Sequence, residues 1–182
     1  MRRLIVSEFL SLDGVMENPQ WTFPYWNDEI AKFKNGELFA VDALLLGRVT
    51  YEGFAAAWPS QTDEEGYADR MNGMPKHVVS TTLDTVEWNN SRLIRENIDE
   101  EVTRLKQQPG QDILVFGSGK LVQVLRQYGL IDQYNLLVYP VILGIGKRLF
   151  PDGSDAGLKL MDAKAIGSGV VLLQYQTEQK ET

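Results

Sequence analysis

The chain alternates between short apolar runs and amphipathic stripes. Leu4 to Leu12 is long and mostly apolar, and it predicts a central strand that runs into a loop at Asp13-Gly14. Ala43 to Leu46, Lys76 to Thr82, Ser91 to Arg95 and Ile113 to Phe116 read as further short strands. Helical stripes lie between them. Asn27 or Asp28 caps a helix through Ile30 and Phe33 to about Val41. Tyr51, Phe54, Ala55 and Trp58 form a second stripe after Gly47. Ile98, Val102 and Leu105 form another, stopped at Pro109-Gly110. Ser60 to Met74 is polar and acidic, a short helix plus a surface loop. Gln133 to Leu143 reads as a long strand that turns at Gly144-Ile145-Gly146. Leu158 to Ala165 and Val170 to Gln176 then form a closing antiparallel pair around Gly167-Ser168-Gly169. Early strands alternate with helices and the last three do not. The pattern predicts one α/β domain over residues 1–182, with a mostly parallel mixed sheet, flanking helices and an antiparallel C-terminal edge.

The most informative stretch is Asp112 to Tyr128. A buried-strand run leads into Gly117-Ser118-Gly119, and Leu121, Val124, Leu125 and Tyr128 then recur at helical spacing. A strand, a small-residue turn and a helix start point free backbone N–H groups and a positive helix end at one spot, where phosphate binds readily. Two familiar fingerprints fail here. The third glycine of G-x-G-x-x-G falls at Val122, and a P-loop would need Ser or Thr at Leu121 and glycine at Leu114. A plain structural turn and a phosphate cradle both remain open on this motif alone.

A second strand-turn-helix junction lies at Gly47-Arg48-Val49-Thr50. A cation in a first helical turn opposes the helix dipole, so Arg48 suits anion binding better than stability. Ser80, Thr81 and Thr82 cluster at a strand end, as phosphate- or ribose-binding hydroxyls do, and as turn residues do equally. The lone His77 has no acidic or serine partner nearby in sequence, which points to an exposed or backbone-satisfied side chain. The segment VMENPQWTFPYWN carries two prolines and two tryptophans, and reads either as a ligand wall or as a flap over the core.

Composition narrows the partners. The absence of cysteine excludes disulfides and thiolate metal sites and fits a reducing cytoplasm. The apolar run after Arg2 and Arg3 is interrupted by Ser7 and Glu8 and is too short to span a bilayer, so it reads as a strand rather than a leader. A net charge of −7 argues against a nucleic-acid surface. An anionic ligand must therefore be held by local basic groups and helix ends.

Four stretches, SLDG at Ser11–Gly14, LLLGRVTYE at Leu44–Glu52, VFGSGKL at Val115–Leu121 and YPVILGIGKRLF at Tyr139–Phe150, together resemble dihydrofolate-reductase-like proteins. The resemblance is closer to the reductase domain of the bifunctional riboflavin-biosynthesis deaminase–reductase and its stand-alone relatives. It implies a cytoplasmic NADPH-dependent reductase, assembled as a homodimer, that transfers hydride to a small pteridine- or pyrimidine-like substrate. The non-catalytic alternative is an NADP(H)-binding module of the same fold. It also implies that Gly47, Arg48, Thr50, Ser80 and Thr81 hold the adenosine phosphate end. Gly117, Ser118, Gly119, Lys120 and Leu121 would lie against the pyrophosphate and nicotinamide. Two carboxylates compete for proton donation. Glu29 falls near the pterin-binding acid of folate reductases, and Asp13 lies in the SLDG motif of the riboflavin-pathway enzymes. The plainer readings are a helix-start acid for Glu29 and a turn residue for Asp13. The strand hydroxyl of folate reductases falls near Val138 here, and Lys147 and Arg148 are expected to close the GIGK turn at the surface.

Overall fold

The computed structural model describes residues 1–178. Eight strands form one sheet: β1 (Leu4–Leu10), β2 (Val41–Gly47), β3 (Lys76–Val79), β4 (Ser91–Ile94), β5 (Asp112–Phe116), β6 (Gln133–Val138), β7 (Leu158–Ala165) and β8 (Val171–Thr177), in the order β4-β3-β2-β5-β1-β6-β8-β7. β4 through β6 run parallel, and β8 and β7 complete the sheet antiparallel. The α-helices are α1 (Asp28–Phe39), α2 (Arg48–Ala57), α3 (Tyr67–Gly73), α4 (Ile98–Gln107) and α5 (Gly119–Gln127).

Alternation along the central strands explains the layers. Leu4 and Val6, Ala43 and Leu45, and Ile113 and Val115 pack toward α4 and α5 with Val102, Leu105, Leu121 and Leu125. Ile5, Leu44, Leu46, Leu114 and Phe116 pack on the other face against Leu38, Tyr51 and Met71. Both faces are covered, so the parallel strands are apolar throughout. A third cluster closes the antiparallel side, where Ile30, Leu137, Tyr139, Ile166 and Leu172 meet Trp21, Tyr25 and Phe33. Burial also reaches Lys76, whose Nζ donates to the carbonyls of Asn72, Met74 and Asn89 at 2.8–2.9 Å and satisfies all three of its protons.

Several boundaries differ from the sequence expectation. The first helix stops at Phe39 because Val41 already pairs with Asp112 in the sheet. The strand expected to reach Leu143 ends at Val138, where Tyr139-Pro140 follows and Pro140 has no N–H to continue the ladder. The strand expected to reach Thr82 ends at Val79, because Ser80 Oγ accepts from the backbone N–H groups of Thr82 and Leu83 and turns the chain. The Pro- and Trp-rich segment is not structureless, since Pro19–Tyr25 forms a 3₁₀ helix.

Candidate active site

The site follows from where connections leave the sheet. After β2 the chain turns outward through α2 to β3, and after β5 it crosses the opposite way through α5 to β6. β2 and β5 are neighbours, so a crevice opens beyond their carboxyl ends. Gly47 is the N-cap of α2 and Ser118 the N-cap of α5, with Ser118 Oγ accepting from Leu121 N at 3.3 Å. The two turns interlock. A Cβ on Gly47 would overlap Ser118 Oγ, and one on Gly117, at φ 61°, would overlap Thr50 Oγ1. Ser118 itself sits in the left-handed region at φ 55°, a local strain held by its neighbours.

Around these turns lies a cleft of about 1610 Å³. Gly47, Arg48, Thr50, Ser80, Thr81, Gly117, Ser118, Gly119, Lys120 and Leu121 all line it. The structure thus brings together every residue that the resemblance pointed to for a nucleotide. Arg48 is half exposed, with Glu52 Oε2 3.7 Å away on the next turn. Ser80 is buried and committed to its turn, whereas Thr81 is exposed. The far wall comes from the 3₁₀ segment: Phe23 and Trp26 are exposed and line the cleft. Trp21 and Tyr25 instead meet Tyr139 edge-on, with ring centroids at 5.5 and 5.8 Å. The segment both walls the cleft and covers the core. Lys147 also reaches the cleft, and its Nζ lies 3.9 Å from Glu17 Oε1.

The floor carries charges that sequence reasoning missed. Lys34 Nζ bonds Glu37 Oε2 at 2.6 Å and Ser7 Oγ at 2.9 Å. Ser7 Oγ also donates to Glu37 Oε2 at 2.9 Å, and Asn135 Nδ2 donates to Glu37 Oε1 at 2.8 Å. The ammonium sits 4.4 Å from the centre of the Phe116 ring. Beside this cluster, Glu8 is buried and lines the cleft, and its Oε1 has no hydrogen-bond partner among the described residues. Burial pushes its carboxyl up to about 8, against the opposing pull of Lys34 and of the Gly117 N–H, with Glu37 adding to the rise. The only sequence signal was an acid inside an apolar strand.

The two expected proton donors lie elsewhere. Asp13 is not a lining residue. Its carboxylate accepts from Ser11 Oγ at 2.6 Å, Gly144 N at 2.7 Å and Leu143 N at 3.2 Å. The Ser11 bond first, and then the backbone bonds, draw its pKa down to about 2. It latches the loop after Tyr139 to the end of β1. Glu29 is exposed in the first turn of α1, outside the cleft, next to the Asn27 cap that accepts from Ile30 N. His77 is half-buried on β3 away from the cleft, and burial lowers its pKa. Among the described residues no group of His, Asp and Glu side chains is arranged to hold a metal, and no helix is long and apolar enough to cross a membrane.

A mostly parallel sheet with an antiparallel β8–β7 edge and a cleft at its switch point defines a dihydrofolate-reductase-like α/β protein. Within that class the chain belongs to the RibD C-terminal domain family, whose pattern matches residues 2–172. It is 31% identical to the Bacillus subtilis protein YyaP over 182 aligned residues, covering 96% of this chain and 94% of the relative. Among solved structures, a candidate riboflavin biosynthesis protein of Shewanella sp. PV-4 superposes with a TM-score of 0.77 at 19% identity, covering 97% of this chain and 99% of that one. The Thermotoga maritima diaminohydroxyphosphoribosylaminopyrimidine deaminase/5-amino-6-(5-phosphoribosylamino)uracil reductase superposes with a TM-score of 0.68 at 13% identity. This alignment covers 97% of this chain and 56% of the Thermotoga protein.

Proposed function

We propose that the protein is an NADPH-dependent reductase of a small pyrimidine- or pteridine-like heterocycle. The observation that carries this reading is the interlocked pair of glycine turns, which aims the N-termini of α2 and α5 into one cleft. The residues fit the cofactor. Arg48 and Thr50, with Thr81, would hold the 2′-phosphate end, and Arg48 would favour NADPH over NADH by a charge-assisted contact. Gly117 to Leu121 would lie along the pyrophosphate, and at Gly117, Ser118 and Gly119 side chains are absent or small enough for close approach. When bound, the reduced nicotinamide supplies a hydride to an electrophilic carbon of the substrate. Phe23 and Trp26 offer apolar faces for a flat heterocycle, and Lys34 offers a cation at the floor. In this reading Asp13 and Glu29 serve the loop latch and the helix start. The activity named for the Thermotoga protein suggests a ribosylaminopyrimidine as substrate class.

A homodimer is part of the same proposal. β7 is a long edge strand with Leu160 and Met161 exposed, a strand that a second copy would cover.

Trp26 and Trp58 both line the cleft, so intrinsic fluorescence reads occupancy directly. NADPH is expected to quench it and to raise the unfolding temperature. NADPH oxidation is then followed over ribosylaminopyrimidines, dihydropterins and flavin precursors. Quenching without turnover on any of them identifies a non-catalytic NADP(H)-binding module; neither quenching nor stabilisation ends the nucleotide reading.

A further inference from the structure

The buried floor of the cleft contains one ammonium and two carboxylates. Lys34 is matched to Glu37 by a 2.6 Å contact, and Glu37 is further held by Ser7 and Asn135. Glu8 is therefore the surplus acid. It cannot hold a second charge there without leaving an uncompensated ion on a buried side chain. Its surroundings are specific. From α1 it faces Lys34 and Glu37, and from the turn after β5 it faces the Gly117 N–H. From β6 its register partner is Leu136, which carries no charge. The other charged residues of the cleft wall near β1 are Glu17 and Lys147, which pair with each other, and Lys120 at the start of α5, which is exposed. Nothing on these elements supplies a second cation at the floor.

We infer that Glu8, an acid at the cleft lining with one oxygen left without a hydrogen-bond partner, is held as a neutral carboxylic acid and that its carboxyl is the proton donor to the substrate as it is reduced. The inference rests on the reductase reading and goes beyond it, because it assigns the proton to a residue outside the family motifs in this chain. The chemistry balances. A C=N or C=O carbon of the substrate gains hydride, with its electron pair, from the reduced nicotinamide. The π pair of that bond moves to the nitrogen or oxygen, which takes the proton from Glu8. The carboxylate left behind lies in the field of Lys34 and the Gly117 N–H, and it regains a proton from solvent water in the cleft. An acid in a desolvated site suits this work because it keeps its proton at neutral pH, consistent with a carboxyl pushed up to about 8.

The first test needs no substrate. Infrared difference spectra of wild type against Glu8→Gln at neutral pH should show a protonated carboxyl band that is present in wild type, absent in the variant and lost as pH rises past about 8. A band already missing in wild type at neutral pH overturns the inference whatever the protein reduces. The second uses NADPH and 5-amino-6-(5-phosphoribosylamino)uracil, together with any member of the substrate panel that turns over. Glu8→Gln should lower kcat about 100-fold, as loss of a general acid does, while leaving NADPH quenching within a factor of two or so. Wild-type kcat should fall as pH rises past about 8, and the residual rate of the variant should not. Glu8→Asp should recover part of the rate. Equal kcat in wild type and Glu8→Gln overturns the donor role alone. NADPH quenching with no turnover by wild type overturns the reductase reading, and the donor role with it, and the infrared band distinguishes the two failures.

Discussion

Gly47 and Ser118 lie so close that a single β-carbon on the glycine would occupy the space of the serine hydroxyl. The contact joins the ends of two neighbouring parallel strands and sets how near the starts of α2 and α5 approach each other. Gly47→Ala is expected to cost about 1–3 kcal/mol, as overpacking does, and to weaken NADPH binding by forcing the turns apart. Removing the hydroxyl with Ser118→Gly in the same chain should restore part of the loss, with a coupling of about 0.5–3 kcal/mol between the two sites. Urea denaturation of the four proteins measures it. Additive losses would mean that the two turns are independent.

Arg48 stands half exposed at the cleft with a carboxylate 3.7 Å away. Its replacement by alanine should weaken NADPH by about 1.5–3 kcal/mol, the range for a hydrogen bond to a charged group, and leave NADH almost unchanged. Fluorescence titration with both nucleotides decides. Equal losses would remove Arg48 from the 2′-phosphate.

Lys34 and Glu37 have side chains exposed by only 9% and 3%. Lys34→Met strands a buried carboxylate and should destabilise the protein by about 3–5 kcal/mol. The double substitution Lys34→Met/Glu37→Met should recover most of that loss, because no charge is then left alone. A double variant as unstable as the single would show that the hydrogen bonds of Ser7 and Asn135, not the charge, dominate.

Glu8 gives stability a pH dependence of definite sign. Its folded-state pKa of about 8 lies above the ordinary 4.5, so its contribution is fully present below 4.5 and is lost as pH rises through about 8. Glu8→Gln should therefore gain stability relative to wild type between about pH 5 and pH 9. Urea midpoints at both ends check it; a difference that does not change with pH would mean that the carboxyl is solvated.

Asp13 behaves in the opposite sense. Its pKa is drawn down to about 2, so the latch is intact above 3.8 and released as pH falls toward 2. Asp13→Ala should lower the unfolding temperature and expose the segment 140–150 to proteolysis. Asp13→Asn, which keeps a side-chain acceptor for the Gly144 N–H, should retain NADPH turnover within about 10-fold. A loss as large as that expected for a general acid, about 100-fold or more, would return Asp13 to the chemistry.

Residues that act through their own backbone were legible in the sequence. Gly47, Gly117 and Gly119 announce turns wherever they fall, and the stripe from Leu121 to Leu125 announces the helix that follows. The cleft-lining members from Gly47 to Thr50 and from Gly117 to Leu121 could be assembled because each lies within a few residues of such a turn. Glu8 could not be read that way. A lone acid in an apolar strand does not disclose that α1 places Lys34 and Glu37 beside it, since those contacts join positions 26 and 29 residues apart across a crossover. Asp13 was visible for the opposite reason, as part of a recognisable local motif. Its partners Leu143 and Gly144 lie about 130 residues away and give it a task that the motif does not spell out. The end of β6 was missed because Val138 to Leu143 stays apolar after Pro140 has broken the ladder.

The position of β1 between β5 and β6 also orders the folding of the site in time. Leu4 pairs with Ile113, and Ile5 with Gln133, so the first strand made has neighbours that are synthesised only after most of the chain. Such long-range parallel pairing is slow to nucleate. The β2–α2 unit, with the arginine end of the cleft, can form from local contacts. Glu8 is an ordinary ionised acid in the unfolded chain, and its enclosure requires β5 and β6 to pair on either side of β1. The proton it is proposed to donate is taken up as folding buries it.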